Sequence, residues 1–393
     1  MLRVPGFARL AASYTINELG DNLGVVALAI LVLDETGSAW GTAALFLASR
    51  FVPAFVSPLI TAKVDRIVPH RVLPALYVIE AAVFVGLAIV AVGFQLWLLL
   101  LLAFLDGTVA VTARGLTRAT AARLTGPAGL LREGNAIMNV GLAVTSAAGP
   151  ALAGVLVATA GVSIALLLDA ASFALIAIIL AVPLGWTAPE HDGEEGWRAR
   201  FVAGLRYVRS DARVARLIAA EATAFVFFFL VIPIEVVYVQ KTLDAGDFGY
   251  GALLSSWGVG LVLGSAVFAL VRKAPTGLVL GAATAAIGVA YLGMAAAPGI
   301  VVACLASVVG GLGNGVQWVA LLTTVQELVP DAMQARVNGF LESLSAAMPG
   351  VGFVLGGALA ALGSPRLAFV VAGVGVLALV PVLAQAASKQ LTA

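Results

Sequence analysis

Twelve separate apolar runs, each about long enough to carry a helix across a bilayer, constrain this chain more than any other feature. A helix needs roughly 20 apolar residues to cross ~30 Å of hydrocarbon. The runs are read at 10–33, 40–62, 72–93, 96–113, 136–159, 162–183, 215–239, 249–271, 276–297, 299–323, 337–361 and 366–386. Inside a membrane, each backbone N–H and C=O must be satisfied within its own segment, so helices are expected. Barrel strands would alternate apolar and polar positions over about ten residues. Leu96–Leu105 is apolar throughout and does not alternate. An all-α membrane protein with twelve transmembrane helices is predicted.

Composition excludes the soluble alternatives. Of 393 residues, 61% are hydrophobic and 11% charged, against roughly 25% charged in ordinary soluble proteins. The net charge of +1 supplies no general basic surface for nucleic acid. With only Cys304, His70 and His191 as soft ligands, no transition-metal site is expected. Met1–Leu10 carries arginines but no cleavage site, so the first run is read as a permanent span rather than a signal peptide.

Orientation follows from the positive residues, which favour cytoplasmic loops. With both termini inside, nineteen of the twenty-two Lys and Arg residues fall in inner segments. Lys241 and Arg366 fall outside, and Arg50 lies within a span. A multi-pass protein of the inner, cytoplasmic membrane with both termini in the cytoplasm is expected, working among lipids as a monomer.

The longest polar stretch, Gly185–Arg213, divides the chain. Residues 1–184 are expected to form an N-terminal six-helix bundle, 185–214 a cytoplasmic linker and 215–393 a C-terminal six-helix bundle. Within the linker, Phe201, Leu205 and Val208 recur at helical spacing between arginines, predicting an amphipathic helix on the inner membrane surface. Asn135 and Gly154 match Asn338 and Gly357 at one offset of 203 residues, as in a parallel repeat. Transporters built from such repeats hold substrate near the midplane.

The chain resembles the major facilitator superfamily over essentially its whole length, and within it bacterial drug–proton antiporters of the macrolide-efflux and enterobactin-exporter type. The residues carrying the resemblance are Gly20-Asp21, Thr36-Gly37-Ser38-Ala39, Arg50 with Pro53, Asp65-Arg66, Gly149-Pro150, and Leu168-Asp169-Ala170 with Phe173. Between spans two and three, the signature loop keeps Asp65, Arg66 and Arg71 but lacks both of its glycines. The resemblance implies a cytoplasmic latch there that holds the outward-open state. In span five, Gly149, Pro150 and Gly154 match part of the antiporter signature, with Ala153 in place of a further glycine. Small residues at such positions let membrane helices approach closely. Drug antiporters often carry an arginine in mid-span four, and the run read at 96–113 has none.

Ionisable groups inside a membrane are costly and are functional candidates by default. At ~1.5 Å per residue, Asp21, Asp106 and Arg50 all fall near the midplane of their spans, in helices that the family fold brings together. Burial disfavours a charged carboxylate and a nearby arginine favours it, so an acid between the two effects can load and release a proton. Asp21 is the first proton-coupling candidate and Asp106 the second, with Arg50 as countercharge; a static ion pair is the structural alternative. Glu18 lies one turn before Asp21 and extends the acidic face. Asn17 and Asn22 flank the acids and are candidate substrate contacts. Phe225 and Phe228 in span seven, with Asn314, Gln317 and Trp318 in span ten, would form an apolar wall carrying a few amides. Glu80 and Asp169 fall in helices that the family fold places away from the cavity, and a structural role is expected for them.

These features predict a secondary transporter, not an enzyme, exporting small amphipathic compounds in exchange for protons by alternating access. Protons are the coupling ion and no other cofactor is expected. No glycine-rich loop ending in Lys-Ser or Lys-Thr is present to bind nucleotide. Proton-coupled uptake of a metabolite, metal export and a non-cycling transporter-like sensor remain as alternatives.

Overall fold

A computed structural model describes residues 4–64, 69–182, 197–271 and 274–387. Among the described residues, twelve helices are long and apolar enough to cross a membrane. The first is α1 (Phe7–Thr36), which ends where Gly37 adopts the left-handed φ of 64° and its N–H bonds back to the Leu33 carbonyl. Glycine adopts that conformation without a Cβ clash. Ser38 then caps the second span, its hydroxyl accepting from the Trp40 N–H at 3.2 Å. That span comprises α2 (Ala39–Phe46), a π-helical turn at Leu47–Phe51 and α3 (Val52–Val64). The helices α4 (Pro69–Val90), α5 (Leu96–Thr125), α6 (Leu131–Ala160) and α7 (Val162–Ala181) follow.

After the linker come α8 (Trp197–Ser210) and α9 (Ala212–Val237), the latter running into a π turn at Tyr238–Thr242. The remaining spans are α10 (Gly246–Val271), α11 (Thr276–Ala296), α12 (Ile300–Leu328), α13 (Asp331–Leu362) and α14 (Pro365–Ala387).

Three differences from the sequence expectation matter. The fourth helix does not stop at 113 but runs to Thr125, where Gly126 follows. The amphipathic segment is interrupted at Asp211, whose carboxylate accepts from the Arg213 and Val214 N–H groups and starts α9. Nor is α8 a detached surface helix. It packs on α9 and α13, with Leu205, Tyr207 and Val208 against a core that includes Leu217, Val279, Leu321 and Leu341.

The helices form two compact units. The first comprises Met1–Glu190 with Gly246–Ser255, and the second His191–Ala245 with Ser256–Ala393. In the first, α1 packs on α6 and α7, α4 on α5 and α7, and α3 on α5. In the second, α11 packs on α12 and α14, and α9 on α13 and α14.

The opening turns of α10 belong to the first unit because of a glycine contact. A Cβ on Gly154 would lie 2.8 Å from the Asp247 carbonyl oxygen, and Gly251 lies directly against Gly154 and the Pro150 carbonyl. Pro150 cannot donate a backbone bond; the neighbouring Ala151 N–H donates to Ser255 Oγ at 2.8 Å. The same helix meets α1 through Gly141 against Thr15 and Gly149 against Asn22.

Candidate functional site

The site begins on one face of α1, where Tyr14, Asn17, Glu18 and Asp21 succeed one another at helical spacing. Residues three and four apart share a helix face. Facing them on α5, one turn apart, are Arg114 and Arg118. Arg114 bridges both acids: its Nε lies 3.0 Å from Glu18 Oε1, and its Nη2 bonds Asp21 Oδ2. Exposures decrease from 39% for the arginine side chain to 18% for Asp21 and 7% for Glu18. The pair is therefore screened by solvent on the arginine side only. Asn17 donates from Nδ2 to the same Asp21 oxygen at 3.2 Å. Arg118 donates to the Tyr14 hydroxyl at 2.5 Å and lies 5.2 Å from the centre of its ring. The bonds to Asp21 and from Arg118 are charge-assisted and stronger than neutral ones, and the Arg114–Glu18 contact adds an ion pair.

The sequence reading expects Arg50 beside Asp21 and Asp106, whereas in the structure the arginine paired with Asp21 is Arg114. Arg114 was missed because an arginine at the end of an apolar run reads as the start of a loop. The signal that would have found it is the true stop, Gly126-Pro127, which leaves Arg114 eight residues after Asp106 on an uninterrupted helix.

Arg50 lies in the π turn of the second span, exposed, with no ion pair among the described residues. The strongest fields at its guanidinium come from Arg114, Asp21, Tyr250 and Glu18. Pro53 has no N–H to satisfy the Ser49 carbonyl. That carbonyl lies against Gly107 of α5, which has no side chain to obstruct it. π turns of this kind are frequent at functional sites. Asp106, one residue before that glycine, has a buried Oδ1 without a hydrogen-bond partner. Its strongest neighbouring fields are those of Asp21, Arg114 and Arg50.

Asn22 faces away from this cluster. Its amide donates to the Glu18 carbonyl at 2.6 Å, and its side chain packs on Gly149. Asp65 and Arg66 lie outside the described residues, and Arg71 is exposed in the first turn of α4.

In the second unit, Phe228 meets Phe229 and Trp257 edge-on at 5.2 and 5.7 Å. Trp257 stacks on Tyr291 at 5.7 Å, and Phe225 packs near Phe229 at 6.4 Å. Offset and edge-on pairs of this kind add stability beyond their buried area. Gln317 is buried and donates to Glu221 Oε2 at 3.4 Å. Asn314 is half-buried, whereas Trp318 is 44% exposed.

The fold is that of solved transporters. A bacterial homologue of the iron transporter ferroportin aligns with a TM-score of 0.78 at 14% identity, over 99% of this chain and 100% of that one. The nucleoside transporter NupG aligns with a TM-score of 0.71 at 13% identity, over 97% and 98%. In sequence, the multidrug efflux pump Tap of Mycobacterium tuberculosis and of Mycobacterium bovis is 29% identical over 377 residues, covering 91% of this chain and 87% of Tap. The family model described as transmembrane secretion effector, a major facilitator group, matches residues 1–392. A small-molecule transporter embedded in the inner membrane by twelve helices is what these likenesses share with the geometry, and the chain belongs to the transmembrane secretion effector family of the major facilitator superfamily.

Proposed function

We propose that the protein exports amphipathic organic compounds in exchange for protons, with Asp21 as the coupling group and Arg114 as its countercharge. The observation that carries this reading is the bridge from Arg114 to both Glu18 and Asp21 at mid-helix depth. Protonating Asp21 removes the charge that holds one arm of the guanidinium. Glu18 retains the other arm, so the arginine stays anchored with one arm released. An organic cation near the acids competes with that proton, since both neutralise the same carboxylate. Binding of one and release of the other are thereby linked, as exchange requires. Asp106 stands as the reserve acid on the same helix as Arg114.

Export rather than uptake is favoured by the likeness to Tap, a multidrug efflux pump. The rings around Phe228 and Trp257 are the apolar surface proposed for the organic part of the substrate. Alternating access by the two units, both termini in the cytoplasm and function as a monomer complete the proposal. Proteoliposomes with an imposed pH gradient and ethidium as the organic cation test it. Uphill accumulation that collapses when the gradient is dissipated is expected. Equal accumulation with and without the gradient would reject proton coupling.

A further inference from the structure

Behind the Arg114 bridge, the first unit buries two more acids, and proton exchange at Asp21 does not account for them. Glu80 is 0% exposed near the middle of α4, and neither of its carboxyl oxygens has a hydrogen-bond partner. Asp169 is 0% exposed on α7; the Ser172 hydroxyl donates to its Oδ1 at 3.2 Å, and its Oδ2 has no partner. Helix spacing and ring contacts bring these two faces together. Tyr77 and Phe84 flank Glu80 on α4, and both rings meet Phe173, one turn after Asp169, at 6.3 and 5.2 Å. The acids are thus enclosed by aromatic surface rather than opened to water.

The Asp169 carboxyl also rests directly on the α1 backbone. A Cβ at Gly24 would lie 3.0 Å from Asp169 Oδ2 and 2.7 Å from the Phe84 ring, and one at Gly20 would collide with Asp169 Oδ1. These two glycines bracket Asp21. The second acid cluster therefore presses on the helix segment that carries the first.

Charge balance then decides what the acids hold. The strongest fields at Glu80 come from Asp106, Asp21, Asp169 and Arg114, with Tyr77 one turn away on its own helix. At Asp169 they come from Asp21 and Asp106. Neither acid has an ion pair among the described residues, and Arg114 is already paired with Glu18 and Asp21. A buried carboxylate with neither countercharge nor hydrogen-bond donor carries a desolvation cost that the group escapes by binding a proton. We propose that Glu80 and Asp169 form a second proton-binding site inside the first unit, seated against the Gly20–Gly24 segment of α1. A proton on each acid removes the buried charge and supplies an O–H where the carboxylate lacks a donor. Ordinary packing would not leave three carboxyl oxygens, both of Glu80 and Oδ2 of Asp169, without a donor in one apolar seam, since satisfied or apolar side chains fill it at lower cost.

Infrared spectroscopy of the purified full-length protein in nanodiscs tests this without reference to transport. Protonated carboxylic acids show a carbonyl stretch separate from that of carboxylates, shifted in D2O. At pH 7 the wild type should show this band, and Glu80→Gln and Asp169→Asn should each lose part of it. The exposed Glu133→Gln should leave it unchanged. An amide matches a neutral acid in size, so the melting temperature of Glu80→Gln should stay close to wild type. A band unaltered by both substitutions would overturn the site. So would its disappearance when sodium replaces choline at constant pH, since a metal ion would then be the ligand. Uphill transport by Asp21→Asn with the band intact would reject the coupling proposal and leave this site standing.

Discussion

Replacing Arg114 with methionine tests the site at its centre. The substitution keeps an unbranched chain of similar length and removes the one group that pairs with both Glu18 and Asp21. Breaking a buried ion pair by deleting one partner costs about 3–5 kcal/mol, because a charge is left without compensation. Arg114 is 39% exposed, and solvent screens part of the interaction, so a loss of roughly 2–3 kcal/mol is expected after that discount. At 1.4 kcal/mol per tenfold, the folding equilibrium shifts by roughly a hundredfold at the upper end. Adding Glu18→Gln and Asp21→Asn to Arg114→Met removes the stranded charges and should recover most of that loss, since neutral replacements of a whole buried network are often tolerated. Transport under a pH gradient should stay lost in the triple variant. Thermal unfolding of purified protein, read as a mutant cycle, supplies the coupling energy. A triple variant no more stable than Arg114→Met alone would refute the reasoning, because the three side chains would then not act as one unit.

Asp21→Asn should abolish uphill transport in a pH gradient while downhill exchange of ethidium persists. Its stability should fall less than that of Arg114→Met, because Glu18 still holds the guanidinium; counterflow and thermal unfolding measure the two effects. At the α6–α10 contact, Gly154→Val should destabilise by about 1–3 kcal/mol, as overpacking does, since its Cβ would meet the Asp247 carbonyl. By contrast Gly115→Ala on α5, with nothing within 4 Å of the new Cβ, should be neutral or gain up to ~1 kcal/mol from helix propensity. Chemical unfolding of the two variants side by side checks the sign. For topology, Ser388→Cys in a Cys304→Ala background should react with an impermeant maleimide only after the cells are opened; labelling of intact cells would reverse the proposed orientation.

The helices were legible in the sequence because the bilayer allows few alternatives: a long apolar run has to satisfy its own backbone. The acids of α1 were legible for the same reason, since Glu18 and Asp21 are charges within an apolar run. What pairs with them was not. Hydropathy ends a span at its first charge, whereas the helix continues while backbone bonds can form, and Thr112, Thr117 and Thr120 cap none of it. Arg114 therefore fell on the wrong side of the boundary. The seat of α8 was also hidden, because amphipathic spacing shows that one face is apolar without showing what covers it. That face lies on α9 and α13. The meeting of Gly154 with Gly251 joins residues from opposite sides of the linker, and no local pattern in either segment marks the other as its partner. Glu80 and Asp169 were visible as charges, but the unpartnered oxygens of both become apparent only when the surrounding side chains are in place.

The central claim, that substrate and proton compete at the Asp21–Arg114 bridge, is tested most directly by proton release on binding. Ethidium would be titrated into purified protein in weak buffer, with the solution pH followed by an indicator dye. Starting from protein equilibrated at a pH where Asp21 is protonated, the wild type should release a proton as ethidium binds, and Asp21→Asn should bind ethidium with none released. Binding without proton release in the wild type, or equal release from both proteins, would contradict the account.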